Sequence, residues 1–116
     1  MLKIRLKRAY DAPHEKDGVR ILVQRLWPRG VSKDAAALDH WAKDIAPSPE
    51  LRKWYGHDPE KWADFRERYV SELDGHTDEV AALRKICGKG VATFVYAAKD
   101  EERISAVVLR DYLTGG

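Results

Sequence analysis

The sequence predicts an α/β fold: a small, mainly parallel sheet of three or more strands flanked by about five helices. Three observations predict it. Short aliphatic and β-branched runs stand near both ends of the chain, at residues 2–8, 19–25 and 91–98. Between residues 25 and 91 the pattern turns helical, with repeated Ser/Asp-Pro-Glu starts and glycine stops, and so long a helical connection suits a parallel crossover. No shift of composition or low-complexity tract interrupts the 116 residues, so a single domain spanning 1–116 is expected.

Taken in order, "LKIRLKR" (2–8) alternates apolar and basic residues with period two, the mark of a strand with one face buried. "AYDAPHEKDG" is loop punctuation, and at ten residues it serves either a hairpin or a short crossover. "VRILVQR" (19–25) is nearly continuous in its apolar middle, as an interior strand covered on both faces should be. A helix capped by Ser32 is then expected to carry Ala35, Leu38, Trp41, Ala42 and Ile45 as one stripe up to Pro47, with Trp41 in the core. Ser48, Pro49 and Glu50 open a short helix stopped at Gly56. Asp58, Pro59 and Glu60 open another, with Trp62, Phe65, Tyr69 and Leu73 inward, ending near Gly75. Thr77 begins a fourth helix, stopped by Gly88, and Asp100 caps a last one, "EERISAVVLRDYL", after the strand "VATFVYAA".

Composition excludes several classes. With 44% hydrophobic and 34% charged residues, the chain is neither disordered nor membrane-spanning, and its basic start does not lead into a signal-peptide apolar region; a cytoplasmic location without membrane contact is expected. The lone Cys87 excludes an internal disulfide and sits at a helix C-terminus, which disfavours a thiolate. His14, His40, His57 and His76 include no pair at i, i+4, so no metal site is expected, and no motif names a cofactor. The net charge of +2 hides an asymmetry: residues 1–33 hold nine Lys or Arg against three acids, +6, and the remaining 83 hold 12 against 16, −4. That distribution favours a local anion site over a polyanion-binding surface, with nucleic-acid association as a rival.

In a parallel sheet, ligands bind beyond the carboxyl ends of the strands. Lys7 and Arg8 follow the first strand, Arg25 and Arg29 the second, and Lys99 the third. Gathered at one rim, such cations repel by about 4 kcal/mol per pair at 4 Å unless carboxylates or a bound anion compensate, and arginine forks match phosphate or carboxylate. Asp34 and Asp100 could supply part of that compensation. A plainer alternative pairs Arg25 and Arg29 with acids of the following helices, and a hairpin between the first two strands would carry Lys7 and Arg8 to the opposite edge. The expected ligand-binding set is Arg25, Trp27, Arg29, Lys99 and Arg8, and the expected partner an anionic small molecule. Candidates for proton transfer are Tyr96, His57 and Asp100, although Asp58 beside His57 reads equally as a helix cap, with His57 packing on Trp54 or Trp62. Trp27 and Trp54, beside turns, could line a pocket or form a partner surface.

"LVQRLWPRGVSK", "LDHWAKDIAPSPELRKWYGHDPEKW" and "YAAKDEERISAVVL" resemble the YeaO-like branch of the domain of unknown function 488 family, with "RLWPRG" and "GHDPEKW" the distinctive blocks. The resemblance covers roughly Ile4 to Leu113 and implies membership without an activity. The family pattern has an aspartate where this chain has Gln24, and a histidine and an asparagine near Arg103, Ile104 and Ser105. Shared acid–base chemistry through those positions is therefore not implied here. Some relatives carry a transcription-regulator label, but no helix-turn-helix with a basic recognition helix is visible.

Overall fold

The computed structural model describes residues 2–99 and 103–115. Four strands, β1 (Lys3–Arg8), β2 (Val19–Leu22), β3 (His40–Trp41) and β4 (Val91–Tyr96), form one sheet in the order β1-β4-β2-β3. Every pairing is parallel: Arg8 lies opposite Tyr96, Leu22 opposite Val95 on one side and opposite Trp41 on the other. The first link is thus a crossover, and all four carboxyl ends reach the same rim.

Two faces of this sheet are built differently. Ile21 and Val23 with Ala92, Phe94 and Tyr96 join the buried sides of α2 (Pro49–Tyr55), α3 (Trp62–Asp74), α4 (Thr77–Cys87) and α5 (Ser105–Thr114) in one apolar core. The expected caps hold α2 and the 3-10 turn (Pro59–Lys61) that leads into α3. Ser48 Oγ accepts from the Leu51 N–H at 3.2 Å, Asp58 Oδ1 accepts from the Glu60 N–H at 3.0 Å, and Gly56 closes α2 at φ 52°. Tyr69, fully buried in α3, donates its hydroxyl to the Ile45 carbonyl at 2.9 Å, and burial pushes its ionisation far above the usual range. Burial likewise pushes the Cys87 thiol up to about 11.

The opposite face is thinner. Ala9, Leu22 and Val95 form a small cluster backed by Trp27, Val31 and Leu38, and beside it lies a buried ionic group. Asp17 Oδ2 accepts from Arg20 Nη1 at 2.6 Å, from Lys7 Nζ at 3.2 Å and from the His14 N–H at 3.0 Å. Burial alone would raise the Asp17 pKa. The His14 N–H and the Lys7 and Arg20 cations outweigh it and hold the carboxyl below the ordinary carboxylate value. Gly18 follows at φ 65°, where a Cβ would fall 2.0 Å from the Val91 carbonyl oxygen, so only glycine lets β2 start this close to β4.

Two expected elements differ. The helix predicted from Ser32 to Pro47 is a single turn, α1 (Lys33–Ala36), although Ser32 does cap it by accepting from the Ala35 N–H at 3.0 Å. Ala37 turns left-handed at φ 47°, and Arg20 donates to the Ala36 carbonyl through Nε at 3.1 Å and Nη2 at 2.9 Å. Asp39 Oδ2 then accepts from the Arg20 N–H at 2.9 Å, and the Ala42 N–H donates to the Leu22 carbonyl at 2.8 Å, so His40–Trp41 becomes β3. Tertiary pairing overrides a three-and-four spacing that by itself fits a helix. Trp41 is accordingly not core: it is 41% exposed and donates its Nε1–H to the Gln24 carbonyl at 2.7 Å. The last helix begins at Ser105, after an extended Ile104 that offers no side-chain cap. Asp100, expected as that cap, lies outside the described residues. No helix among the described residues is long and apolar enough to cross a membrane.

Candidate functional site at the strand carboxyl ends

After Val23 the chain leaves the sheet and wraps the carboxyl rim. Gln24 fixes the departure from both ends of its carboxamide: Oε1 accepts from the Ala97 N–H at 2.9 Å and Nε2 donates to the Leu26 carbonyl at 2.7 Å. Trp27 folds back to donate its Nε1–H to the Val31 carbonyl at 2.6 Å, and its ring meets that of Trp41 edge to face, centroids 5.5 Å apart. Gly30, at φ 79°, completes the turn. The crowded join between strand and helix is thus a rigid arch, braced by amide and indole groups, that holds Arg25 and Arg29 out over the rim.

Beneath the arch lies a cavity of about 600 Å³. Its wall comes from the arch, from Ala46 and Pro47, from α2 with His57, from Phe65, from Tyr96 at the end of β4 with Ala97 and Ala98 beyond it, and from Ile104 and Ser105 at the start of α5. Val23, Ala46, Tyr55, Phe65 and Ile104 are buried and make its deep side apolar. Tyr55 and Phe65 stack with centroids 4.2 Å apart. The charged lining is Arg25, Arg29, Arg52 and Lys53, and no Asp or Glu is among the described lining residues. None of these four cations pairs with a carboxylate among the described residues. Arg25 is half-buried. Its Nη2 donates to the Ala46 carbonyl at 3.2 Å, and its buried Nε has no acceptor among the described residues.

Of the expected set, Arg25, Trp27 and Arg29 line this cavity, and so do Tyr96 and His57. Arg8 does not. It donates from Nε to the Ala98 carbonyl at 3.0 Å and from Nη2 to the Ala97 carbonyl at 3.1 Å, with its guanidinium over the Tyr10 ring at 5.1 Å. It therefore shapes the segment that forms one wall. Lys99 is exposed and stands outside the lining, while Lys7 is drawn away to Asp17. His57 is exposed at the mouth, with its ring 5.8 Å from that of Tyr55 rather than on a tryptophan. Trp54 lies elsewhere, its ring covered by Arg68 at 4.3 Å and Lys61 at 5.1 Å. Asp34 forms no ion pair among the described residues, and Asp100 falls outside them. Sequence reasoning missed Tyr10, Arg52, Lys53, Tyr55 and Phe65. The last four stand on helices whose capping was legible, but which side of α2 meets the rim depends on how it packs.

Compared with known proteins, residues 3–115 match the family described as the Inactive DUF488-N3 subclade. The chain is 46% identical over 112 residues to the Uncharacterized protein YeaO of Escherichia coli K12, covering 97% of each. It is 42% identical over 113 residues to the Uncharacterized protein Rv3073c of Mycobacterium tuberculosis H37Rv, covering 97% of this chain and 95% of the relative. No solved structure matches it. With the family pattern running almost from end to end, and two bacterial relatives keeping nearly its whole length, the chain belongs to the Inactive DUF488-N3 subclade.

Proposed function

We propose that the protein is a cytoplasmic, single-domain binding protein that accepts a small anionic molecule, bearing phosphate or carboxylate, in the cavity at the carboxyl ends of β2 and β4. One observation carries this reading: four cations line the cavity, and no described carboxylate lines it or pairs with any of them. Arg25 supplies the inner contact, and Arg29, Arg52 and Lys53 provide positive potential at the mouth. The start of α5, where Ile104 gives no side-chain cap and Ser105 lines the cavity, adds the positive end of a helix.

Binding without catalysis is favoured for two reasons. The family's own description calls it inactive. At Gln24, where the resemblance implies an aspartate, both ends of a neutral carboxamide are engaged in joining two loops. Tyr96 and His57, the candidate proton carriers, both line the cavity. Buried and unpaired, Cys87 suits a reducing compartment.

The nucleic-acid rival draws little support, because Lys7 and Arg20 are tied to Asp17, and Arg8 to backbone carbonyls, instead of forming a continuous basic stripe. A protein-partner reading has a specific observation behind it: the exposed large apolar side chains Tyr10 and Leu26 stand at the mouth of this same cavity. The test is thermal unfolding with phosphate, citrate and small organic acids. An anion at 100 times its Kd should stabilise the protein by about 2.7 kcal/mol, and Arg25→Met should remove the shift. Equal shifts in wild type and Arg25→Met, or none with any anion, would overturn the reading.

A further inference from the structure

The cavity's polar groups narrow the class of ligand further, on the reading that it takes an anion. Gln24 is engaged at both ends of its carboxamide, Tyr55 donates its hydroxyl to the Arg103 carbonyl at 2.9 Å, Tyr10 to the Arg29 carbonyl at 3.2 Å, and Trp27 its indole N–H to the Val31 carbonyl. These four neutral lining groups, which ordinarily read hydroxyls, are therefore turned onto the protein's own backbone, leaving Ser105, His57 and Tyr96 as the remaining neutral polar side chains of the described lining. A sugar phosphate placed here would bury hydroxyls against Val23, Ala46, Phe65 and Ile104 with few partners, and each unmet hydrogen bond weakens binding. A flat apolar body meets the opposite conditions, an apolar deep side with the stacked Tyr55 and Phe65 rings in its wall. The volume of about 600 Å³ lies within the range of about 300–1,000 Å³ that holds small organic molecules.

We infer that the ligand is an aromatic anion, an arylalkanoate or aryl phosphate. Its charged head lies on Arg25 and the cationic mouth, and its ring lies against the deep wall. Recognition reads charge at one end and apolar shape at the other, with no hydroxyl pattern between.

Titration calorimetry on the full chain tests this with phenylacetate, phenyl phosphate, the neutral phenylacetamide, ribose 5-phosphate and inorganic phosphate. The expected result is that phenylacetate or phenyl phosphate binds at least about tenfold more tightly than the other three probes. Arg25→Met should reduce that binding to the level of phenylacetamide, and Phe65→Leu should weaken the aryl anions by a larger factor than inorganic phosphate. Because Arg25 also holds the Ala46 carbonyl, Arg52→Ala at the exposed mouth serves as a second variant and should weaken the same two ligands. Ribose 5-phosphate or inorganic phosphate binding as tightly as the aryl anions would overturn this inference and leave the anion site standing. No binding by any probe would overturn this inference, and phenylacetamide binding as tightly as both aryl anions would overturn the anion site as well.

Discussion

Two groups of cations in this chain are treated in opposite ways. On the thin face of the sheet, Lys7 and Arg20 share the Asp17 carboxylate, and Arg20 also holds the end of α1 through the Ala36 carbonyl. At the carboxyl rim, Arg25, Arg29, Arg52 and Lys53 line one cavity with no described acid among them. Positive charge that serves the fold brings its own counterion, whereas the cations at the rim have no carboxylate partner among the described residues. The total of +2 conceals both arrangements.

That contrast can be broken at several points. The largest effect is expected on the neutralised side. Arg20→Ala leaves the buried Asp17 with Lys7 as its one described cationic partner beside the His14 N–H, frees the Ala36 carbonyl, and should lower stability by about 3–5 kcal/mol in denaturant unfolding. A loss below about 1 kcal/mol would show that the Asp17 group does not anchor the fold. Next comes its acid dependence. The Asp17 pKa is lowered in the folded state, so the unfolded chain binds its proton first. The stabilisation is complete above the ordinary carboxylate value of 3.8 and is lost as pH falls through the folded value. Asp17→Asn should be less stable at neutral pH and should lose less further stability between neutral pH and pH 3 than the wild type does.

On the rim, Gln24→Glu would give the second group a counterion like that of the first. It should weaken anion binding by about tenfold or more in calorimetry while costing about 1 kcal/mol of stability through disturbance of the amide contacts to Ala97 and Leu26. The smallest effect belongs to Arg29→Ala. Exposed and unpaired among the described residues, Arg29 should change unfolding by no more than about 0.5 kcal/mol while reducing anion affinity. A large loss of stability there would mean that the rim cations are structural after all.

The sequence showed much of this where the signal was local. Alternation in residues 2–8, the proline-led caps at Ser48 and Asp58 and the glycine stops at Gly56 and Gly88 depend on neighbours within a turn, and the corresponding elements form. β3 was hidden because Leu38, Trp41, Ala42 and Ile45 fit a helical stripe by spacing, while its actual determinant is pairing with β2 some twenty residues earlier. Arg25, Trp27 and Arg29 could be placed at the rim from strand order alone. The positions of Arg52, Lys53 and Phe65 could not, since they follow from how α2 and α3 pack. Arg8 sits at the foreseen rim, but two carbonyls nearly ninety residues away claim its guanidinium.

The place of β4 between β1 and β2 also bears on how the chain matures during synthesis. Val91, opposite Lys3, emerges 88 residues later, and neither β1 nor the inner side of β2 has a pairing partner before then. At about 5–20 residues per second, the first strand waits about 4–18 s for its neighbour. Charged side chains discourage pairing at a bare strand edge, so Lys3 and Arg5, exposed on β1, are placed to guard that edge during the wait.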